Sequence, residues 1–152
     1  MSSDPFCVRA EIDKTIFFES KHFMVLYDIK PVVRGHCLFI PKRHITDLLE
    51  LTGEETADFH DLFEAVAPRV LRLYGATENS YDLASQIGPY SGRSISHLHV
   101  HLLPRVKEDK YQEESSNIFD DIKMNRTEFS AADVENEVRR LRREFGFTPV
   151  RK

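Results

Sequence analysis

The chain has 152 residues, 41% hydrophobic and 30% charged, a balance that suits a globular domain and excludes a largely disordered chain. Its 21 basic and 25 acidic residues leave a net charge of -4, which argues against nucleic acid or an anionic membrane surface as the main partner. Apolar runs such as 23–27 are too short to span a bilayer, and two cysteines, Cys7 and Cys37, are too few for a disulfide framework. A single domain over 1–152 in a reducing compartment, the cytosol or the nucleus, is the expectation, since the N-terminal residues do not have the pattern of a signal peptide.

In chain order, Thr15–Glu19, His22–Asp28 and His36–Pro41 are short, rich in aromatic and branched residues, and separated by turn signals, so they read as strands. Thr52-Gly-Glu-Glu55 has the pattern of a capping box, after which Phe59, Leu62, Phe63, Val66, Val70 and Leu73 recur at helical spacing. Pro68 should kink that helix and Gly75 should end it. Tyr81–Ile87 and His97–Leu103 read as two more strands, joined by a loop through Gly88-Pro-Tyr-Ser-Gly92-Arg93. The polar, acidic stretch near 106–127 is expected to be a mobile surface loop. A last helix near 131–145 begins at Ser130, buries Val134, Val138, Leu141 and Phe145, and carries arginines towards its C-terminal end. These elements predict an α+β domain with an antiparallel sheet of about five strands and two main helices.

Three of the seven histidines fall in His97-Leu-His99-Val-His101-Leu-Leu103. On a strand, alternation puts His97, His99 and His101 on one face and Leu98, Val100 and Leu102 on the other. A row of buried histidines with no function is costly, because every ring brings two nitrogens that need partners. Imidazole suits zinc, copper and iron, so a metal site is one reading. The preceding segment, Gln86-Ile-Gly88-Pro-Tyr-Ser-Gly92-Arg93-Ser94-Ile-Ser96, favours another. Its glycines, cation and hydroxyls supply donors for an anion, which suggests a phosphate held against an imidazole.

The stretch from Gln86 to Arg105, ending in the histidine run and Pro104-Arg105, resembles the histidine triad (HIT) superfamily of nucleotide hydrolases and transferases. Lys30-Pro-Val-Val-Arg-Gly-His36, Gln86, the Gly-Pro pair and Pro104-Arg105 look most like the fragile histidine triad branch, which hydrolyses dinucleoside polyphosphates to AMP and a second nucleotide. Asp28-Ile29 and Ile40-Pro-Lys-Arg-His-Ile45 look more like the branch of nucleoside phosphoramidases, whose tryptophan-bearing C-terminus has no counterpart in a chain without Trp. The resemblance implies a homodimer whose sheet continues across two chains, and a nucleotide or dinucleoside polyphosphate as partner. A third reading is a nucleotide-binding module whose bound complex signals, with slow turnover only clearing the ligand.

By this resemblance His99 is the nucleophile and His101 assists the leaving group, with His97 and His36 as orienting neighbours. Gln86, Gly92, Arg93 and Ser94 would hold phosphate oxygens. Asp28 matches a ribose-binding position, and Phe6, Ile12, Leu26, Ile29 and Leu38 match the surroundings of the base. The polyphosphate branch usually has asparagine at the place of Asp28 and glutamine at that of Arg93, so Arg93 adds a permanent charge beside the reacting phosphate. No tightly bound cofactor is expected, and Mg2+ or Mn2+ would accompany the substrate. Some bacterial relatives hold zinc with a Cys-x-x-Cys and two histidines, and Asp4, Cys7, His44 and His97 stand at the matching positions, one cysteine being replaced by Asp4.

Overall fold

Phe23-Met-Val-Leu-Tyr27 and Cys37-Leu-Phe-Ile-Pro41 are buried at every position, as their unbroken apolar runs require of strands covered on both faces. The structure, a computed structural model, describes residues 4–107 and 129–150. A 3₁₀ turn at Pro5–Cys7 leads into α1 (Arg9–Thr15), β1 (Ile16–Glu19), β2 (Phe23–Tyr27) and β3 (Cys37–Pro41). Then come α2 (Gly53–Leu73), β4 (Tyr81–Ala84), β5 (Val100–Pro104) and α3 (Ala131–Phe145). The strands form one antiparallel sheet in the order β1-β2-β3-β5-β4. Among the described residues no helix is long and apolar enough to cross a membrane.

Strand alternation divides the buried residues between two faces. Phe23, Val25 and Tyr27 of β2, Cys37 and Phe39 of β3, and Val100 and Leu102 of β5 pack with Leu62, Val66 and Val70 of α2 and with Val134, Val138 and Leu141 of α3. Met24, Leu26, Leu38 and Ile40 point the other way and pack with Ile12 and Ile16. The register aligns Leu26 with Leu38, Leu38 with His101, and His101 with Ala84. Alternation thus delivers His101 to the face of the sheet that carries α1.

Both long helices begin as their sequences indicate. Thr52 Oγ1 accepts the Glu55 amide at 3.1 Å while the Glu55 carboxylate accepts the Thr52 amide, and Ser130 and Asp133 form the same reciprocal pair. The Arg43 guanidinium, bonded to both Glu55 oxygens, together with the Thr52 amide holds the Glu55 carboxyl down at about 2. α2 is not interrupted at Pro68 and runs five residues beyond it, although Pro68 has no amide to give the Glu64 carbonyl. At the far end of α3, Arg142 donates to the carbonyls of Asp13 (2.7 Å) and Ile16 (2.8 Å), capping the end of α1.

Three differences from the sequence reading matter for the site. Arg9–Thr15 is a helix, so Thr15 ends α1 and does not open a strand; two turns are too few for a helical period to stand out. β4 stops at Ala84 and not at Ile87. β5 begins only at Val100, so His97 and His99 precede the strand. There the Leu98 amide bonds to the Ile45 carbonyl at 2.7 Å, and Ser85 Oγ donates to the His99 carbonyl at 2.7 Å, in place of strand-to-strand pairing. The expected acidic loop lies outside the described residues, apart from Val106 and Lys107.

Candidate active site

His99 Nδ1 lies 2.8 Å from the carbonyl oxygen of His97. A carbonyl only accepts, so Nδ1 carries the proton and the neutral ring keeps its lone pair on Nε2. A second chain of bonds fixes the next ring. The Val32 amide donates to His36 Nδ1 at 3.1 Å, which puts the neutral His36 proton on Nε2. That nitrogen is 2.8 Å from His101 Nδ1 and 3.4 Å from Asp28 Oδ2. His101, accepting on Nδ1, then carries its own proton on Nε2. The rings of His99 and His101 are 5.0 Å apart and both are buried. The result is one ring nitrogen with a lone pair and one ring N–H donor side by side, an arrangement that suits a nucleophile beside a donor to a developing anion.

Both rings line a cavity of about 250 Å³ on the α1 side of the sheet. Of the residues singled out in the sequence, Phe6, Ile12, Leu26, Asp28, Ile29, Leu38 and Ser94 border it as well. The ring of Phe6 stands 5.4 Å from that of His99. Asp28 is buried, with Oδ1 accepting the Lys30 amide at 2.8 Å. Sequence reasoning missed Pro5, Glu11, Thr15, Tyr27, Lys30 and Ile95 in the lining. Glu11 and Thr15 come with α1, and a signal existed in the four-residue spacing of Ile12 and Ile16.

Gln86, Gly92 and Arg93 do not border this cavity. Gln86 Nε2 donates to the Ser91 carbonyl at 2.7 Å, bracing the loop in which Gly92 turns at a φ of 87°. The Arg93 guanidinium donates to the Thr46 carbonyl at 3.4 Å. His97 shares the Phe6 ring with His99, at 5.9 and 5.4 Å between ring centres, and does not border the cavity. Its Nε2–H donates to the Pro41 carbonyl at 2.8 Å, and Nδ1 lies 2.8 Å from Asp4 Oδ2.

The same Asp4 oxygen is 2.7 Å from His44 Nδ1 and accepts from the Cys7 thiol at 3.1 Å. Ligand atoms of Asp4, Cys7, His44 and His97 all lie within 4.8 Å of one another. Burial would raise the Asp4 carboxyl, but bonds from Cys7, His97 and the Phe6 amide outweigh it and bring the group below its ordinary value. The bond to Asp4 pushes the Cys7 thiol up. One sulfur, one carboxylate and two imidazole nitrogens fit a tetrahedral zinc ion, which would have to displace the thiol proton on binding.

A five-stranded antiparallel sheet with paired histidines lining a cavity on one face is the architecture of a histidine triad protein. The HIT domain pattern matches residues 9–108, and the chain belongs to that family. It is 34% identical over 97 residues to the bis(5'-adenosyl)-triphosphatase of Saccharomyces cerevisiae, a match covering 63% of this chain and 46% of the yeast protein. The chain therefore spans about half the length of those yeast relatives. It is 31% identical over 127 residues to the protein of the same name from Dictyostelium discoideum, covering 84% of this chain and 83% of the other. A zinc-bound histidine triad family protein of Mycobacterium smegmatis superposes with a TM-score of 0.62 at 26% identity, over 86% of this chain and 83% of that one.

Proposed function

We propose that the chain hydrolyses dinucleoside polyphosphates, such as diadenosine triphosphate to AMP and ADP, through a nucleotide carried on His99. The observation that supports this most is the bond from His99 Nδ1–H to the His97 carbonyl, which leaves Nε2 basic at the cavity floor. In the first step Nε2 forms a bond to the α-phosphorus and the bridging P–O bond breaks. The ADP oxygen departs as an anion stabilised by a hydrogen bond from His101 Nε2–H. Water then attacks the same phosphorus and loses a proton to solvent, and the N–P bond breaks, returning the lone pair to His99 Nε2 and releasing AMP. His36, held by Val32 and adjoining Asp28, keeps His101 in the tautomer that offers Nε2–H to the departing oxygen.

The base sits among Phe6, Ile12, Leu26, Ile29 and Leu38, and Asp28 accepts from the ribose hydroxyls. Ser94, Gln86, Gly92 and Arg93 hold the phosphates directly or by shaping the loop, and Mg2+ or Mn2+ offsets the polyphosphate charge. Zinc at Asp4, Cys7, His44 and His97 supplies structural cross-linking. A second copy of the chain docks at β4, the sheet edge where Tyr81 and Leu83 are exposed, and the cytosol or nucleus keeps Cys7 and Cys37 reduced. Chromatography of the products from diadenosine triphosphate and from an adenosine phosphoramidate tests the reading. Wild type should prefer the former, and His99→Ala should lose several orders of magnitude in turnover while still binding AMP. Near-normal turnover by that variant overturns the assignment.

A further inference from the structure

We propose that a divalent cation in the Asp4–Cys7–His44–His97 cluster and a nucleotide in the adjoining cavity strengthen each other's binding, with Phe6 and His97 as the link; the proposal rests on the nucleotide reading of that cavity. The two sites share one short segment. Asp4 and Cys7 flank Pro5 and Phe6, and those two residues are part of the cavity wall. Asp4 Oδ1 accepts the Phe6 amide at 2.9 Å, so the carboxylate that offers Oδ2 to the cluster also sets the backbone of the wall. The ring of Phe6 meets His97 edge-on at 5.9 Å and His99 at 5.4 Å. His97 therefore touches both sides: its ring nitrogen is in the cluster, and its carbonyl orients the nucleophile.

Three groups converge on one carboxylate oxygen: Asp4 Oδ2 is 2.7 Å from His44 Nδ1, 2.8 Å from His97 Nδ1 and 3.1 Å from the Cys7 sulfur. A divalent cation satisfies the carboxylate, the sulfur and both imidazoles together, and so ties the segment to His44 and His97 in the body of the protein. A three-residue 3₁₀ turn has little stability of its own, so its order depends on these anchors. With the cation bound, Phe6 is fixed as a wall before the base arrives, and the cost of ordering it is no longer taken from nucleotide affinity. By reciprocity a base packed against Phe6 favours the geometry in which Asp4 and Cys7 meet the cation.

Titration calorimetry on the whole chain tests this, with AMP added to chelator-treated protein and to protein holding one equivalent of Zn2+, and Zn2+ added with and without AMP. The expected result is AMP affinity higher by about 5-fold or more with Zn2+, and the same factor for Zn2+ in the presence of AMP. Phe6→Ala keeps all four ligands and should still take up Zn2+, with the factor falling to near one. His44→Ala, which removes a ligand remote from the cavity wall, should abolish the effect of added Zn2+ on AMP. Equal AMP affinity in both states, failure of Zn2+ to bind, or an undiminished factor in Phe6→Ala overturns the proposal. An effect that persists in His44→Ala also overturns it, by assigning the change to zinc–phosphate association in solution. Failure of AMP to bind in either state defeats the nucleotide reading itself, a result distinct from two independent sites.

Discussion

Gly35 turns at a φ of 88°, one residue before His36, and a methyl group placed there would meet a rigid wall. Its Cβ would lie 2.6 Å from Tyr74 Cδ2, 2.7 Å from Tyr74 Cγ and 2.9 Å from Pro104 Cγ. Neither neighbour can easily give way. The Tyr74 hydroxyl donates to Glu137 Oε2 at 2.6 Å, and the guanidinium groups of Arg140 and Arg34 lie 5.3 and 5.9 Å from its ring centre. Pro104 is held in β5. For Gly35→Ala the left-handed backbone costs about 1–2 kcal/mol. Overpacking adds about 1–3 kcal/mol. The sum of about 2–5 kcal/mol lowers Tm by roughly 4–20 °C for a chain of this size. Melting should be followed by calorimetry beside Gly53→Ala, whose added Cβ meets nothing within 4 Å and which should stay within about 0.5 kcal/mol of wild type. Activity that survives in Gly35→Ala should have a lower kcat, since His36 is displaced from His101. A melting curve within about 2 °C of wild type would refute the steric argument.

Because Asp28 is a buried carboxylate in the cavity lining, 2′-deoxynucleotides should bind more weakly than ribonucleotides by about 1.5–3 kcal/mol, and Asp28→Ala should erase the difference. Equal calorimetric affinities in wild type would contradict this. Arg93→Gln should lower kcat/KM on diadenosine triphosphate more than on an adenosine phosphoramidate, because only the polyphosphate leaving group carries extra negative charge; equal losses would show that Arg93 serves only its bond to Thr46. Glu55 is held at about 2 against an ordinary 4.5, so its stabilisation is fully present above 4.5 and disappears as pH falls through about 2. Glu55→Gln should therefore melt lower than wild type at neutral pH, with the gap closing in acid; parallel curves of Tm against pH would exclude that role.

The central strands were legible because apolar runs such as Phe23–Tyr27 and Cys37–Pro41 leave few alternatives, and both long helices announce themselves by capping pairs with an apolar stripe behind them. α1 was illegible because seven residues give less than two full periods, and its end is capped from α3. The histidine run is legible as chemistry, but its strand is shorter than alternation suggests: only His101 lies in β5, and His97 and His99 precede it. The tautomers could not be read from sequence at all. They depend on the carbonyls of Pro41 and His97 and the amide of Val32, backbone groups whose positions only the folded chain defines.

The two bonds from Arg142 to α1 set an order of events for a newly made chain. Their acceptors, the carbonyls of Asp13 and Ile16, precede Arg142 by 129 and 126 residues. A ribosome adding about 5–20 residues per second needs roughly 6–26 s to span that interval. His99 and His101 are synthesised before Arg142 arrives to cap the helix that forms one wall of their cavity. A nascent chain thus displays these imidazoles beside a helix whose C-terminal carbonyls still await the arginine that caps them.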